Sequence, residues 1–137
     1  MSAEYLLEII TPERSFFCEM VEQAVLPTPE GLMGIMKGHE KMVIAIKPGE
    51  LKINKGGKWL YCSVSQGFVE IRPDETLLFT SSAEWPEEID VRRAEDAKCR
   101  AEERLRQKLS TREYKMNKLA VARAMTRLQL SKKNIKL

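Results

Sequence analysis

Six residues, Trp85-Pro86-Glu87-Glu88-Ile89-Asp90, divide this 137-residue chain into two kinds of sequence. Before them, apolar runs of strand length alternate with turn residues. After them, no glycine or proline interrupts the chain as far as Leu109, and the apolar spacing becomes helical. The charge changes sign at the same place. Residues 1–88 hold 8 Lys/Arg against 14 Asp/Glu, a net of −6; residues 89–109 hold 7 against 5; residues 110–137 hold 8 against 1, a net of +7. The overall charge of +3 thus averages an acidic strand-rich part with a basic helical tail. Such asymmetry points to partners.

The break predicts a β domain at 1–86, sandwich or barrel, and a two-helix domain at 87–137. The first is long enough to close a small core, whereas a helix pair of the second's length buries little by itself and depends on docking. The N-terminal Met1-Ser2-Ala3-Glu4 lacks the basic flank and apolar run of a signal peptide, and no stretch reaches the roughly 18 apolar residues of a membrane span. A soluble intracellular protein is therefore expected. Cys18, Cys62 and Cys99 are odd in number and widely spaced, and His39 is the single histidine. That pattern predicts free thiols in a reducing compartment and no zinc site.

Within the first part, Tyr5–Ile10, Arg14–Met20 and Gln23–Leu26 read as strands separated by turn residues. Glu50–Lys55 alternates polar and apolar residues, and Lys55-Gly56-Gly57-Lys58 supplies the positive φ of a tight hairpin leading into Trp59–Ser65. Phe68–Ile71 and Thr76–Thr80 form a further pair about the turn Arg72-Pro73-Asp74-Glu75. Eight to ten short strands at this spacing predict an antiparallel sandwich or barrel, giving an α+β chain.

In the second part Asp90 is a good N-cap, with Pro86 just outside the helix. Ala94, Ala97, Ala101, Leu105 and Leu109 recur at spacings of three and four, so they share one face of a helix expected to reach Leu109. Ser110-Thr111 closes it and starts a second helix near 112–131; Thr111 with Tyr114 does not make a capping box. The second helix has two faces of interest. Tyr114, Val121, Ala124, Met125 and Leu128 project in one arc, while Met116, Leu119, Arg123, Arg127 and Leu130 lie opposite. Packing on a single partner needs one apolar face, so the arginine-bearing face suggests a second docking mode. The plainer alternative is that Met116 and Leu119 merely cover the side of the sandwich. The whole reads as a helical hairpin attached to a β domain.

Catalytic chemistry is not indicated. There is no phosphate-binding GxxxxGK[ST] loop, no cysteine has a spaced base, and Glu87-Glu88 and Glu102-Glu103 sit in charge-rich, solvated segments. His39 is best read as a turn or interface residue. A helical-hairpin adaptor and a basic-tail nucleic-acid-binding protein remain the rival readings, the latter weakened by the acidic sandwich and by a tail whose aromatics are limited to Tyr114.

Taken in order, these segments resemble the ε subunits of bacterial F-type ATP synthases. The likeness runs from about residue 4 to residue 131. It is carried by Ile9-Ile10-Thr11-Pro12-Glu13-Arg14, the glycine-rich Glu30-Gly31-Leu32-Met33-Gly34-Ile35-Met36-Lys37-Gly38-His39, Lys47-Pro48-Gly49-Glu50-Leu51, Gly67-Phe68-Val69-Glu70-Ile71, Ile89-Asp90-Val91-Arg92-Arg93-Ala94 and Ala122-Arg123-Ala124-Met125-Thr126-Arg127-Leu128. One stretch departs: where the family has Pro-Gly-His-x-Pro-Leu, this chain has Lys37-Gly38-His39-Glu40-Lys41-Met42, which loosens the turn and adds positive charge.

The resemblance implies a ten-stranded sandwich followed by a helical hairpin. It implies a non-catalytic subunit on the central stalk, with the sandwich against the γ subunit and the c-subunit ring, at the cytoplasmic face of a bacterial cell membrane. It further implies a role in coupling ion flow to rotary ATP synthesis, and a hairpin that restrains ATP hydrolysis when it extends toward the α/β catalytic head. Arg112, Lys115, Lys118, Arg123 and Arg127 would supply attraction to an acidic surface there. Some members bind ATP as a regulatory ligand on the folded hairpin. The matching positions here are Glu84, Ile89, Asp90, Arg93, Ala94, Arg100, Arg123 and Arg127, each filled by the family's residue type. Arg93 and Arg100 share a face of the first helix, and Arg123 and Arg127 a face of the second. Guanidinium groups converging between two helices repel one another unless a polyanion lies among them, which a nucleotide phosphate would supply.

Overall fold

A computed structural model describes residues 3–135; residues 1–2 and 136–137, the outer ends of the two expected domains, lie outside the described residues. Ten strands come first: β1 (Tyr5–Ile10), β2 (Ser15–Val21), β3 (Gln23–Thr28), β4 (Gly31–Met36), β5 (Met42–Ile46), β6 (Gly49–Lys55), β7 (Lys58–Val64), β8 (Gly67–Ile71), β9 (Glu75–Thr80) and β10 (Ala83–Glu84). A single 3-10 turn, Pro86–Glu88, leads to helices α1 (Val91–Leu105) and α2 (Thr111–Ile135).

The strands form two five-stranded sheets, ordered β2-β1-β9-β8-β5 and β10-β7-β6-β3-β4. The expected sandwich is present. Its pairings are antiparallel except β1 with β9, which run parallel. Side-chain alternation sets the core: Leu7 and Ile9 of β1, Leu51 and Ile53 of β6, and Leu78 of β9 point inward and are fully buried between the sheets.

The reading of the Lys55–Lys58 turn holds at the backbone. Gly56 and Gly57 take φ of +58° and +80°, the left-handed conformation a two-residue hairpin needs, and Lys55 pairs with Lys58 across it. Gly67 is required for a different reason. A Cβ there would lie 1.9 Å from the Phe79 carbonyl oxygen, so β8 and β9 can approach only through glycine. At the loop where lysines replace the family's prolines, Gly38 adopts φ +84° and the His39 amide donates to the Met36 carbonyl at 3.2 Å, so the turn closes without proline.

The helical boundaries differ from expectation. α1 stops at Leu105 rather than Leu109, because residues 106–110 are needed to reverse the chain. The cap of α2 is Ser110: its Oγ accepts the Glu113 amide at 3.2 Å and donates to the Glu113 carboxylate at 2.9 Å. The capping pair is thus one residue earlier than the Thr111/Tyr114 pair that sequence reading discounts. Small buried Ala94 and Ala101 let α1 and α2 pack closely, and α2 in turn lies across β6, β7 and the 3-10 turn. That contact explains a local break in β7's pattern. Ser63, which alternation turns away from the core, is buried beneath α2.

Candidate functional site

The junction is built on Trp85. Its ring stacks on Phe16 at 4.6 Å between centroids and meets Phe17 edge-on at 6.1 Å, which anchors the end of the β domain in the core. Pro86 then opens the 3-10 turn, and Glu88 closes it by accepting the Trp85 amide at 3.0 Å. The same carboxylate takes two bonds from Arg14 Nη2, at 2.9 and 2.8 Å, tying the β1–β2 loop to the turn. Partial burial pushes the Glu88 pKa up; the Trp85 amide and the Arg14 guanidinium outweigh it, so the carboxyl titrates below its ordinary value. Asp90 follows as the N-cap of α1, its Oδ1 accepting the Arg93 amide at 3.1 Å.

The basic face of α2 meets the sandwich. Arg123 Nη1 donates to Gln66 Oε1 at 3.0 Å, and burial lowers the pKa of this guanidinium. Arg127 Nη2 donates to Glu84 Oε2 at 3.1 Å, with Nε 2.6 Å from Oε1. Nε is buried and out of line for a hydrogen bond of its own. The two side chains are only 22% and 25% exposed, so this ion pair is less screened than the surface pairs elsewhere. The face carrying Met116, Leu119, Arg123, Arg127 and Leu130 is therefore the one turned to the sandwich at its C-terminal half. Leu130 is fully buried, while Met116 stands 54% exposed.

An open pocket of about 640 Å³ lies over the junction, with Arg14, Glu84, Glu88, Arg93 and Arg127 in its wall. A smaller recess of about 100 Å³ shares Glu84 and Arg127 with it and adds Arg123. Of the eight positions expected from sequence, the fold thus gathers Glu84, Arg93, Arg123 and Arg127. Asp90 serves as a helix cap, and Ile89 and Ala94 are buried in packing. Arg100 is exposed and lines neither cavity. Sequence reading missed Arg14, Gln66 and Glu88. Their separation from the tail leaves no periodicity to follow, although Arg14 and Gln66 do sit in turns, where binding residues concentrate. The donor set is suited to an anion with several oxygens: guanidinium groups from both the β1–β2 loop and the two helices converge on one opening.

Two family models match the chain: "ATP synthase, Delta/Epsilon chain, beta-sandwich domain" over residues 4–86 and "ATP synthase, Delta/Epsilon chain, long alpha-helix domain" over residues 87–132. The ATP synthase epsilon chain of Ruminiclostridium cellulolyticum is 47% identical over 126 residues, covering 92% of this chain and 94% of the relative. That of Caldicellulosiruptor bescii is 44% identical over 132 residues, covering 96% of each. Among solved structures, a chain of the Euglena gracilis mitochondrial ATP synthase superposes with a TM-score of 0.77 at 25% identity, covering 93% of this chain and 80% of that one. Over residues 4–132, in its sandwich and in its helical tail, this chain belongs to the ATP synthase delta/epsilon family and groups there with the bacterial epsilon chains.

Proposed function

We propose that the chain is a non-catalytic central-stalk subunit of a rotary ATP synthase, and that its tail switches between a form folded on the sandwich and a form extended from it. The sandwich would sit against the γ subunit and the c-subunit ring, at the cytoplasmic face of the bacterial cell membrane. Apolar side chains left uncovered on β4 and β5, Leu32 and Val43 among them at 68% exposure each, support docking within an assembly. Among the described residues no helix is long and apolar enough to cross a membrane, so attachment would be through the complex. Family membership favours this reading over the adaptor and nucleic-acid readings.

The observation that carries the switch is the chemistry of the tail's contact. Besides buried Leu130, α2 is held to the sandwich by Arg123–Gln66 and Arg127–Glu84, polar bonds that water can replace when the helix lifts. Released, Arg123 and Arg127 join Arg112, Lys115 and Lys118 as a basic surface for an acidic face of the α/β catalytic head, where the tail would restrain ATP hydrolysis. ATP is the regulatory ligand we assign to the junction pocket. Arg93, Arg123 and Arg127 would hold its phosphates, and Glu84 and Asp90 would orient the arginines or meet the base and ribose. No step requires a metal. Ligand at ten times its dissociation constant would favour the folded form by about 1.4 kcal/mol, roughly a tenfold shift in population, if the extended form does not bind.

Calorimetry of the chain with ATP tests the site. Saturable heat that is abolished in Arg93→Ala/Arg127→Ala supports it; an absence of heat in the unaltered chain removes the sensor. Inhibition is tested in the assembled synthase. Neutralising Arg112, Lys115 and Lys118 should relieve restraint on hydrolysis, and an unchanged hydrolysis rate would reject the electrostatic part of the reading.

A further inference from the structure

The junction pocket contains more anion-binding capacity than the helical motif accounts for. Its wall holds three guanidinium groups, Arg14, Arg93 and Arg127, and three carboxylates, Glu13, Glu84 and Glu88. Two of the arginines are already gripped by carboxylates: Arg127 by Glu84 and Arg14 by Glu88. Arg14 differs from the others in origin. It belongs to the β1–β2 loop of the rigid body, where its guanidinium rides 5.0 Å over the Phe16 ring.

This origin matters for any switch. A ligand biases two conformations only through the difference in its affinity for them. Arginines of α1 and α2 provide such a difference only so far as the two helices separate on extension. A guanidinium fixed on the sandwich and facing the same opening does provide it, because a polyanion spanning both sides can be held only in the folded form. Resting upon the nucleotide reading above, we propose that Arg14 is the sandwich-side phosphate ligand of the junction pocket, and that Glu88 is the resident counter-anion which phosphate must displace.

Glu88 suits this part. Both its oxygens lie within hydrogen-bond distance of Arg14 Nη2, and one also accepts the Trp85 amide. Its pair with Arg14 is partly solvent-exposed, with side chains 34% and 48% accessible, so exchange of one anion for another needs no opening of the core. The carboxylate therefore sets a threshold. It keeps Arg14 oriented in the absence of nucleotide and weakens binding by competing for it.

Calorimetry with ATP and, separately, with inorganic triphosphate tests the assignment on the full chain. Arg14→Ala should weaken both ligands about tenfold, the scale of losing one charge-assisted contact. Glu88→Gln, which keeps an oxygen for the Trp85 amide but removes the competing charge, should tighten both several-fold. A purely structural role for the pair predicts weaker binding in each variant, so the opposite sign for Glu88→Gln is the distinguishing readout. If ATP binds and Arg93→Ala/Arg127→Ala abolishes it while Arg14→Ala and Glu88→Gln leave it unchanged, the assignment is overturned and the nucleotide site survives. If the unaltered chain binds neither ligand, both fall. Should Arg14→Ala misfold by its Trp85 fluorescence, the sign of the Glu88→Gln effect decides alone.

Discussion

Arg127 of α2 and Glu84 of β10, separated by 43 positions in the chain, form a half-buried ion pair joining the helical tail to the sandwich. Neither residue belongs to a run that betrays the other. Their meeting makes closure of the hairpin an electrostatic event at one end of an otherwise small contact. Either Arg127→Ala or Glu84→Gln should weaken the closed form by about 1.5–3 kcal/mol, the range of a hydrogen bond to a charged partner. Amide hydrogen exchange along α2 should quicken correspondingly while β1, β6 and β9 keep their protection. Unaltered exchange in α2 for both variants would show that the pair does not hold the tail.

Trp85 fastens the last strand to the core through Phe16 and Phe17. It is partly buried, so Trp85→Ala should cost about 2 kcal/mol, below the range for a fully enclosed aromatic. Urea unfolding followed by circular dichroism gives the number. A loss under half a kcal/mol would mean that the ring contributes little beyond covering the edge.

At Gly67 the obstacle is backbone, since an added Cβ meets the Phe79 carbonyl oxygen and lies 2.8 Å from Thr80 Cα. Gly67→Ala is expected to cost at least about 2 kcal/mol, because two strands must separate to admit one methyl group. Gly56→Ala faces open space and only the strain of φ +58°, about 1 kcal/mol. Thermal melting should rank the two in that order.

Glu88 gives the junction a pH dependence of defined sign. Its pKa is lowered in the folded chain, so its contribution is complete above the unfolded value near 4.5 and is lost as pH falls through the lower folded value. Acidification below about pH 4.5 should therefore loosen the turn, read in a Trp59→Phe background as a change in Trp85 emission that precedes global unfolding. In Glu88→Gln that early change should vanish. Its persistence there would assign the acid sensitivity to another carboxylate.

Sequence by itself determined the two-part organisation and most of the elements. Apolar runs in β1 and β9, alternation in β6, two glycines in the β6–β7 turn and an unbroken stretch after Asp90 are local signals, and local chemistry suffices to decide them. Four arginines and Glu84 were named by the family resemblance, which a one-dimensional match of motifs can carry. Where α1 ends was less legible: Leu105 and Leu109 share a helical face, yet the chain must reverse between them, and helical period does not encode the length of a reversal. The site itself was decided only by tertiary structure. Arg100 keeps the period of Arg93 but is left facing solvent, while Arg14, Gln66 and Glu88 enter the junction from turns and a loop with no periodic relation to the helices. Charge pairing across a docked helix depends on which face the packing of small alanines and one fully buried leucine turns inward, a three-dimensional choice that no single segment contains.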